Sequence, residues 1–514
     1  MLPTARPLLA LGLALVVAGC SLAPTPTPTP PTPTAVPTAS PSPTPVPPTA
    51  FPLAVVTGFT NLKAATTMAE LEQMASAGTL VIPCGLQAAI GVRVSADSSC
   101  TVATEIAAAL RADSTRVALL PPGLVEPATK VLPVDGADLF GGPAARAAEY
   151  PAVGLTTVLP PGWTTYEPAE IRTLISLGDS CPDRGVAYQA ITLGKGWDWV
   201  FGGGRARYLR VYPNPVPLDQ VGGGYNIVDA EASGDPGAVA RLVSSADITL
   251  DDFECPVVDD WRVNGGVVFS IDPAVLPQLR DTYGVDVVTL AANHLFDRGT
   301  RGFLETLEQF AGAGIPRAGA GRDLDDALAA AVVDVNGLRF AFVGFNEVPG
   351  SQAAATGVPG VAWLTDDNVR TAVTRARAQA DLVFCVPQWW GGAEYHGDFT
   401  ASQLAQQATF YAAGCDHVIG HGTHWSGPID FVRTPDGAVH FTIASHGNFL
   451  FGQQWSQQTQ EGLVLELAFR GTTLAQVRMH PYIMLLQAQT NLIDPETDGA
   501  YVLNRVFNNS DVGY

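Results

Sequence analysis

Positive charge is what this chain has least of. Its 28 Lys and Arg stand against 49 Asp and Glu in 514 residues, a formal charge of -21. No electrostatic grip on a phosphate backbone is available, so nucleic acid is excluded as a partner class. Charge of both signs is sparse, at 15% of residues against 47% hydrophobic, which excludes a largely disordered chain and a coiled coil. After Ala50 no segment offers an uncharged, apolar run long enough to span lipid, which takes ~20 residues. Everything beyond that point is therefore expected to be soluble and outside the cytoplasm. The length is about three and a half times a typical domain of ~150 residues, so two or more folded units are expected.

The first twenty residues carry one charge, Arg6, then an apolar run over 8–17, then Ala18-Gly19-Cys20. That order reads as an export signal. Its run of about 10 to 12 apolar residues is too short to span a membrane. The small pair running into a cysteine resembles the bacterial lipobox, with 17–20 as the matching stretch. The resemblance implies a signal peptide over 1–19, lipidation of Cys20, and a protein tethered to the extracytoplasmic face of the cell membrane. Residues 24–48 hold twelve of the 41 prolines among Thr, Ser, Ala and Val, and no core can form there. Extended polyproline II at ~3.1 Å per residue lets this tract hold the folded part up to about 80 Å from the lipid. Residues 20–50 are thus a lipidated cysteine and a linker.

Six cysteines follow: Cys84, Cys100, Cys181, Cys255, Cys385 and Cys415. An even number in an oxidising compartment suggests disulfides, and Cys84 with Cys100 closes a short local loop. Cys385 and Cys415 are expected not to bridge. If 381–386 and 416–420 pair as parallel strands in register, the two sit four or five residues apart along the strands, at ~3.3 Å per residue, beyond disulfide reach.

Residues 51–165 mix short apolar runs (54–56, 79–82, 117–120) with helical stretches (67–76, 101–111), a small α/β unit. The stretch 134–140 followed by Tyr150-Pro151 loosely resembles segments of extracytoplasmic solute-binding proteins. A binding-protein-like lobe and a structural spacer both fit. From Ile171 onward an apolar strand repeatedly stops at a polar cluster and a helix follows. Residues 174–177 end in Gly178-Asp179, 248–250 in Asp251-Asp252-Phe253-Glu254, 285–290 in Asn293-His294, and 418–419 in Gly420-His421-Gly422-Thr423-His424. Helical stretches at 300–313 and 402–413 lie between. In an α/β sheet the carboxyl ends of strands form the ligand-binding rim, so these clusters should converge.

Asp, Glu, Asn and His on strand ends are the ligand types of a two-metal hydrolytic site. Carboxylates bridge hard cations, imidazoles complete the shells, and an amide holds a metal or an oxyanion. Singly, Gly178-Asp179 could be a turn and Asn293-His294 a capped helix start; the ordered set carries the reading. Here the sequence resembles the CapA family of capsule and poly-gamma-glutamate synthesis proteins, whose domain is related to calcineurin-like metallophosphoesterases. The matches run over about 300 residues. They are Gly178-Asp179 with Arg184-Gly185-Val186, 246–250 leading to Glu254-Cys255-Pro256, 287–294 with Asp297 and Gly299, and Gly319-Ala320-Gly321. Trp390-Gly391 with Glu394-Tyr395, Gly414-Cys415-Asp416 leading to His421 and His424, and 445–449 complete them. The departures are specific. Where the family usually has His-Trp-Gly before Glu-Tyr, this chain reads Gln388-Trp389-Trp390-Gly391-Gly392-Ala393-Glu394-Tyr395. Where it usually has Gly-His-His-Pro-His, Gly422 and Thr423 intervene, and Asp252 replaces an Asn. His446, where the family commonly has Leu, and His396 are the imidazoles that could compensate.

The resemblance implies an α/β fold of the calcineurin-like type, helices flanking two packed sheets, over 166–490, with a C-terminal tail at 491–514. It implies a divalent metal (Mn, Zn or Mg) held by Asp179, Asp252, Glu254, Asn293, His421 and His424. It assigns His294, Asn293 and Arg184 to catalysis, His294 as a proton donor to a leaving group. Trp389, Trp390, Glu394 and His446 are assigned to substrate, although filling a core is the commoner role of Trp. Cys181 and Cys255 each lie beside a ligand position, and a bridge or two buried thiols both fit. The implied function is synthesis, anchoring or trimming of a surface polymer, capsule or poly-gamma-glutamate, beside capsule-synthesis machinery. The alternative is an envelope protein that only holds a polymer or small ligand. Replacing Cys20 by Ala should move the mature protein from the membrane to the soluble fraction, because one lipidated cysteine is the whole tether. Retention in the membrane fraction after signal processing would refute the tether.

Overall fold

The computed structural model describes residues 49–512 except 85, 87, 91–99, 157–162, 164–165, 214–224, 391 and 436. Cys20 and the proline-rich tract lie outside the described residues. The strand bearing Gly178-Asp179 runs Ile171–Cys181, four residues past the apolar run, and is buried along its length. It pairs in parallel with Ile248–Phe253, which pairs in parallel with Val287–Thr289. On its other side Glu461–Arg470 runs antiparallel, and these strands belong to a ten-stranded sheet. A second sheet has six strands, in the order Ala331–Val335, Leu338–Asn346, Leu382–Gln388, His417–Ile419, Val439–Ile443, Ile429–Arg433. Its four middle strands are parallel.

Strand alternation sorts the side chains into layers. Leu174, Leu250, Phe340, Phe342, Phe384 and Leu467 meet in one core between the sheets. Their neighbours point outward. Ile175, Val288 and Leu290 pack with Phe303, Leu307 and Phe310 of the helix Gly299–Ala313. Ala341, Val343 and Phe345 pack with Val369, Val373 and Phe410 of the helices Asp366–Arg377 and Ala401–Ala413. The layers run helix, sheet, sheet, helix, the expected arrangement of helices flanking two packed sheets. Both faces of each inner strand are covered, which is why these strands read as unbroken apolar runs.

Ahead of this sandwich stand two antiparallel three-stranded sheets, one built from Thr49–Pro52, Val153–Thr156 and Ala88–Ile90, the other from Val117–Leu120, Ala54–Gly58 and Thr129–Val131. Their core continues onto Ile171, Ala468 and Ala475. Two ion pairs with largely buried side chains also fasten them, Arg146 to Asp247 at 3.0 Å and Arg478 to Asp138 at 2.8 Å. Residues 491–514 are not a tail. The strand Gln489–Leu492 belongs to the large sheet, and Val502, Leu503 and Val506 of the helix Ala500–Asn508 enter the inter-sheet core.

Disulfides join Cys84 to Cys100 and Cys181 to Cys255, with Cα atoms 4.9 and 5.4 Å apart. A third joins Cys385 to Cys415, at 6.2 Å, against expectation. Cys385 does pair with Val418, three positions beyond Cys415. But the strand begins only at His417. Cys415 sits in the turn after the helix, where Gly414 takes φ 104° and the Cys415 N–H donates back to the Phe410 carbonyl at 3.0 Å. Distance along the strand therefore does not set the spacing. Because the Cys181 bridge closes 74 residues and the Cys84 bridge 16, loop entropy assigns them about 4 and about 3 kcal/mol. Replacing Cys181 and Cys255 together by Ser should lower the thermal midpoint more than replacing Cys84 and Cys100, and mass mapping without reductant should recover three bridged pairs.

Candidate metal centre

The strand ends meet at one edge of the sandwich. Asp179 lies in register with Asp252 on one neighbour and Asn448 on the other. From the second sheet, Gln388 closes its strand and bridges to His421. Gly178 is required by a close approach: a Cβ there would strike the Gly447 carbonyl, which accepts from the Asp179 N–H at 3.0 Å. Asp179, Asp251, Asp252, Glu254, His421 and His424 are all buried.

Asp179 is shared between two imidazoles. His421 Nδ1 lies 3.3 Å from its Oδ1 and His424 Nδ1 3.2 Å from its Oδ2; the Gly422 N–H also donates to Oδ1, at 3.3 Å. His421 Nδ1 is 3.7 Å from Asp252 Oδ2, and Glu254 accepts from the Gln388 amide at 3.0 Å. Two ligand groups result, Asp179 with Glu254 and His424, and Asp179 with Asp252 and His421.

The charges strain against one another. Burial alone would raise Asp179, but the hydrogen bonds from His421 and His424 hold it well below the usual carboxylate range. Burial, then the Asp179 charge, push Glu254 up to about 7. Burial, then Glu254 and Asp179, raise Asp252 well above its ordinary value, and burial takes Asp251 to about 7. Burial would depress His424, yet Asp179 and Glu254 carry it to about 9. Such a cluster is the environment a divalent cation relieves. The residues fit one: among the described residues His421 Nε2, Asp252 Oδ2 and Gln388 Oε1 are buried polar atoms with no hydrogen-bond partner.

Above this floor opens a cavity of about 530 Å³ lined by Arg184, Asn293, His294, Trp390, Glu394, Tyr395 and His424, among others. His294 is braced by Asp297 Oδ2 at 3.0 Å from its Nδ1 and by the edge of Phe269. The Arg184 guanidinium lies 4.5 Å over the Phe269 ring and its Nε donates to the Gly266 carbonyl at 2.8 Å. Arg184, Tyr395 and His424 hold φ of 44°, 55° and 61°, left-handed conformations that non-glycine residues keep only when the surroundings enforce them.

Two substrate assignments are corrected. Trp389 is fully buried in the outer-face core with Phe410, while Trp390, the next residue along, is the one 40% exposed at the cavity. His446 is buried too and stacks on His421, with ring centroids 4.9 Å apart and planes 9° from parallel. His396 is exposed and accepts from the Asp398 N–H at 3.3 Å. Sequence reasoning missed Gln388, Asn448, Gln453 and Trp455. Gln388 carried a signal, a polar residue closing the apolar strand Leu382–Gln388. Asn448 holds His424 Nδ1 at 2.8 Å, and Gln453 and Trp455 line the cavity.

A family model described as "Bacterial capsule synthesis protein PGA_cap" matches residues 173–453, more than half of the chain. The chain is 27% identical over 250 residues to "Capsule biosynthesis protein CapA" of Bacillus anthracis, covering 46% of this chain and 59% of that one. It is 33% identical over 180 residues to "PGA biosynthesis protein CapA" of Bacillus subtilis strain 168, covering 35% and 46%. It thus spans about half the length of the curated relatives it matches. Among solved structures, the NAD nucleotidase of Haemophilus influenzae is similar at 12% identity and a TM-score of 0.34, covering 61% of this chain and 50% of that one.

The raised groups set the pH dependence of stability. Glu254 and Asp251, at about 7, contribute stability that is full below ordinary carboxylate values and is lost as pH rises through about 7. His424, at about 9, loses its contribution as pH rises through about 9. Asp179, held down, changes only in acid. The thermal midpoint of chelator-treated protein should therefore fall from about pH 6 to pH 9, and saturating Mn²⁺ should shrink that fall by replacing protons in the cluster. A flat or rising midpoint without metal would contradict the charge arrangement.

Proposed function

This chain belongs to the bacterial capsule synthesis protein PGA_cap family, and from that premise we propose that it is a lipid-anchored, extracytoplasmic, metal-dependent hydrolase. Its work is the synthesis, anchoring or trimming of a surface polymer of the capsule or poly-gamma-glutamate kind. The observation that carries the reading is the pair of ligand groups sharing Asp179 directly under a cavity lined by Arg184, Asn293 and His294.

Asp179, Glu254 and His424 would hold one cation, and Asp179, Asp252 and His421 another. A divalent cation there supplies Lewis-acid polarisation and neutralises charge that develops at the reacting group. The chain's own residues do the rest. Asp297 fixes one ring nitrogen of His294, leaving the other to hold or deliver a proton at a leaving group. Arg184, held over the Phe269 ring, receives an anionic group of the polymer. Asn293 offers an amide to the reacting group or to a metal. Trp390 and Tyr395 on the cavity wall support the chain of the substrate with large, rigid apolar faces.

Titrating Mn²⁺ and Zn²⁺ into chelated protein by calorimetry tests the reading, with Asp179→Ala and His424→Ala alongside. Strong binding in the parent chain should be lost in both variants. His294→Ala should keep the metal and lose roughly 100-fold or more of poly-gamma-glutamate cleavage, followed by chain length on gels. Equal metal binding in all three proteins would overturn the hydrolase and leave a protein that only holds its polymer.

A further inference from the structure

The cavity over the metal centre carries two opposite charges that do not neutralise each other. Among the described residues that line it, Arg184 is the one arginine or lysine and Glu394 the one carboxylate. They stand on different sides of Tyr395. The ionisable groups around Arg184 are Tyr395, Asp183 and Asp297, whereas the Glu394 charge acts on Tyr395 and His424. Arg184 spends its Nε on the Gly266 carbonyl, and no hydrogen bond among the described residues uses its two terminal nitrogens. Glu394 lies outside both ligand groups of the metal centre, so ligation does not explain it.

Both charges are held in place rather than left to swing. Arg184 keeps φ 44° and Tyr395, next to Glu394, φ 55°, and the Tyr395 N–H donates to the Thr423 carbonyl at 2.8 Å. The Tyr395 hydroxyl lies against both Glu394 and Gln453. Its ring meets Trp455 edge-on, 4.6 Å between centroids, and Trp390 shows 40% of its surface at the same cavity. Glu394 is thus a half-buried carboxylate in an aromatic surround.

That surround says what the carboxylate is for. An interior stretch of a polyanion brings only carboxylates, and Glu394 repels them; like charges brought together out of water are costly. A cation removes the cost. A primary ammonium offers three N–H donors to the carboxylate and a charge to the aromatic faces. In a chain of linked amino acids such an ammonium exists only at the amino terminus, where it stands beside a carboxylate that a guanidinium can take.

We propose that the cavity takes the amino-terminal end of its polymer, the terminal ammonium on Glu394 and a carboxylate of the same or the next residue on Arg184, and that the chain is trimmed from that end one residue at a time. The inference rests on the hydrolase reading above and gives it a direction. Each cut consumes one water. The amide C–N bond breaks, the carbonyl carbon gains a hydroxyl, and the departing nitrogen gains a proton. The shortened chain again begins with an amine, so the same pair of charges can take it.

The test uses the full purified chain loaded with Mn²⁺ and a γ-linked glutamate trimer whose amino terminus is free or acetylated. By calorimetry the parent chain should bind the free trimer about tenfold or more tightly than the acetylated one, and mass spectrometry should find single glutamate as the first product. Glu394→Gln, with thermal unfolding as the folding control, should keep its bound Mn²⁺ and lose that preference, chiefly in KM. Equal binding of the two trimers by the parent chain, or binding of neither, would overturn the inference without recourse to any variant. Equal cutting of free and acetylated long polymer into internal fragments would overturn it too, and leave the hydrolase standing. Loss of Mn²⁺ from folded Glu394→Gln would make Glu394 a metal ligand and overturn its role here. Selective binding of the free trimer without cleavage would overturn the hydrolase and leave recognition of the amino terminus, as the grip of a protein that only holds its polymer.

Discussion

Asp179 stands on one sheet and takes both of its imidazole partners from the other. Its strand lies in the ten-stranded sheet, while His421 and His424 follow a strand of the six-stranded one. The carboxylate is thus a charged rivet at the edge of a sandwich whose interior is otherwise held by Leu, Val and Phe. It can be there only because so much else is arranged around it. Gly178 and Gly447 let two backbones approach, Asp252 and Asn448 lie in register on either side, and Cys181 is bridged to Cys255, next to Glu254. Four buried carboxylates repel one another strongly. Two imidazoles offset part of that repulsion, and the upward pull on Asp251, Asp252 and Glu254 is the part they leave. The unbalanced remainder is what fits the cluster to divalent cations.

This balance explains why the layers could be read from the sequence and the contents of the site only in part. An apolar run that stops at a polar cluster is a local pattern. The strands carrying Asp179, Glu254 and His421, and the helices Gly299–Ala313 and Ala401–Ala413, followed from it within a residue or a few. The convergence of Asp179, Glu254, His421 and His424 followed from the rule that strand ends share a rim. Register and turn geometry are not local in this way. The distance from Cys385 to Cys415 is counted along the strand direction, but a left-handed glycine has already turned the chain ahead of Cys415, so a bridge judged out of reach is made. Trp389 and Trp390 carry the same composition signal, and only the end of strand alternation after Gln388 decides that the first is core and the second faces the cavity.

The anchoring of the N-terminal sheets shows the same division. Of their six strands, Ala54–Gly58 and Val117–Leu120 were legible as short apolar runs, while 79–82 forms no strand; the ion pairs that fasten them, Arg146 to Asp247 and Arg478 to Asp138, join residues 101 and 340 positions apart. No pattern within a window of the chain could pair them. Arg478 also bonds Glu466 at 3.2 Å, and the coupling of two acids to one buried guanidinium ties the N-terminal sheets to the hairpin that flanks the Asp179 strand.

The departures from the family pattern are coupled to one another by shape. Gly422 occupies a position where the family usually has histidine, and it takes φ 86°, a conformation open to glycine at little cost. A Cβ at that point would press on the Gln388 carboxamide at 3.0 Å, and Gln388 stands directly before Trp389, the position of the second lost histidine. The amide of Gln388 therefore fills the space over Gly422 and reaches Glu254, while the Gly422 N–H turns to Asp179. Restoring a histidine at 422 alone would drive its side chain into Gln388 and pull a left-handed turn out of shape. Gln388 and Gly422 form a single arrangement of the rim, in which a side-chain amide reaches Glu254 and a backbone N–H reaches Asp179.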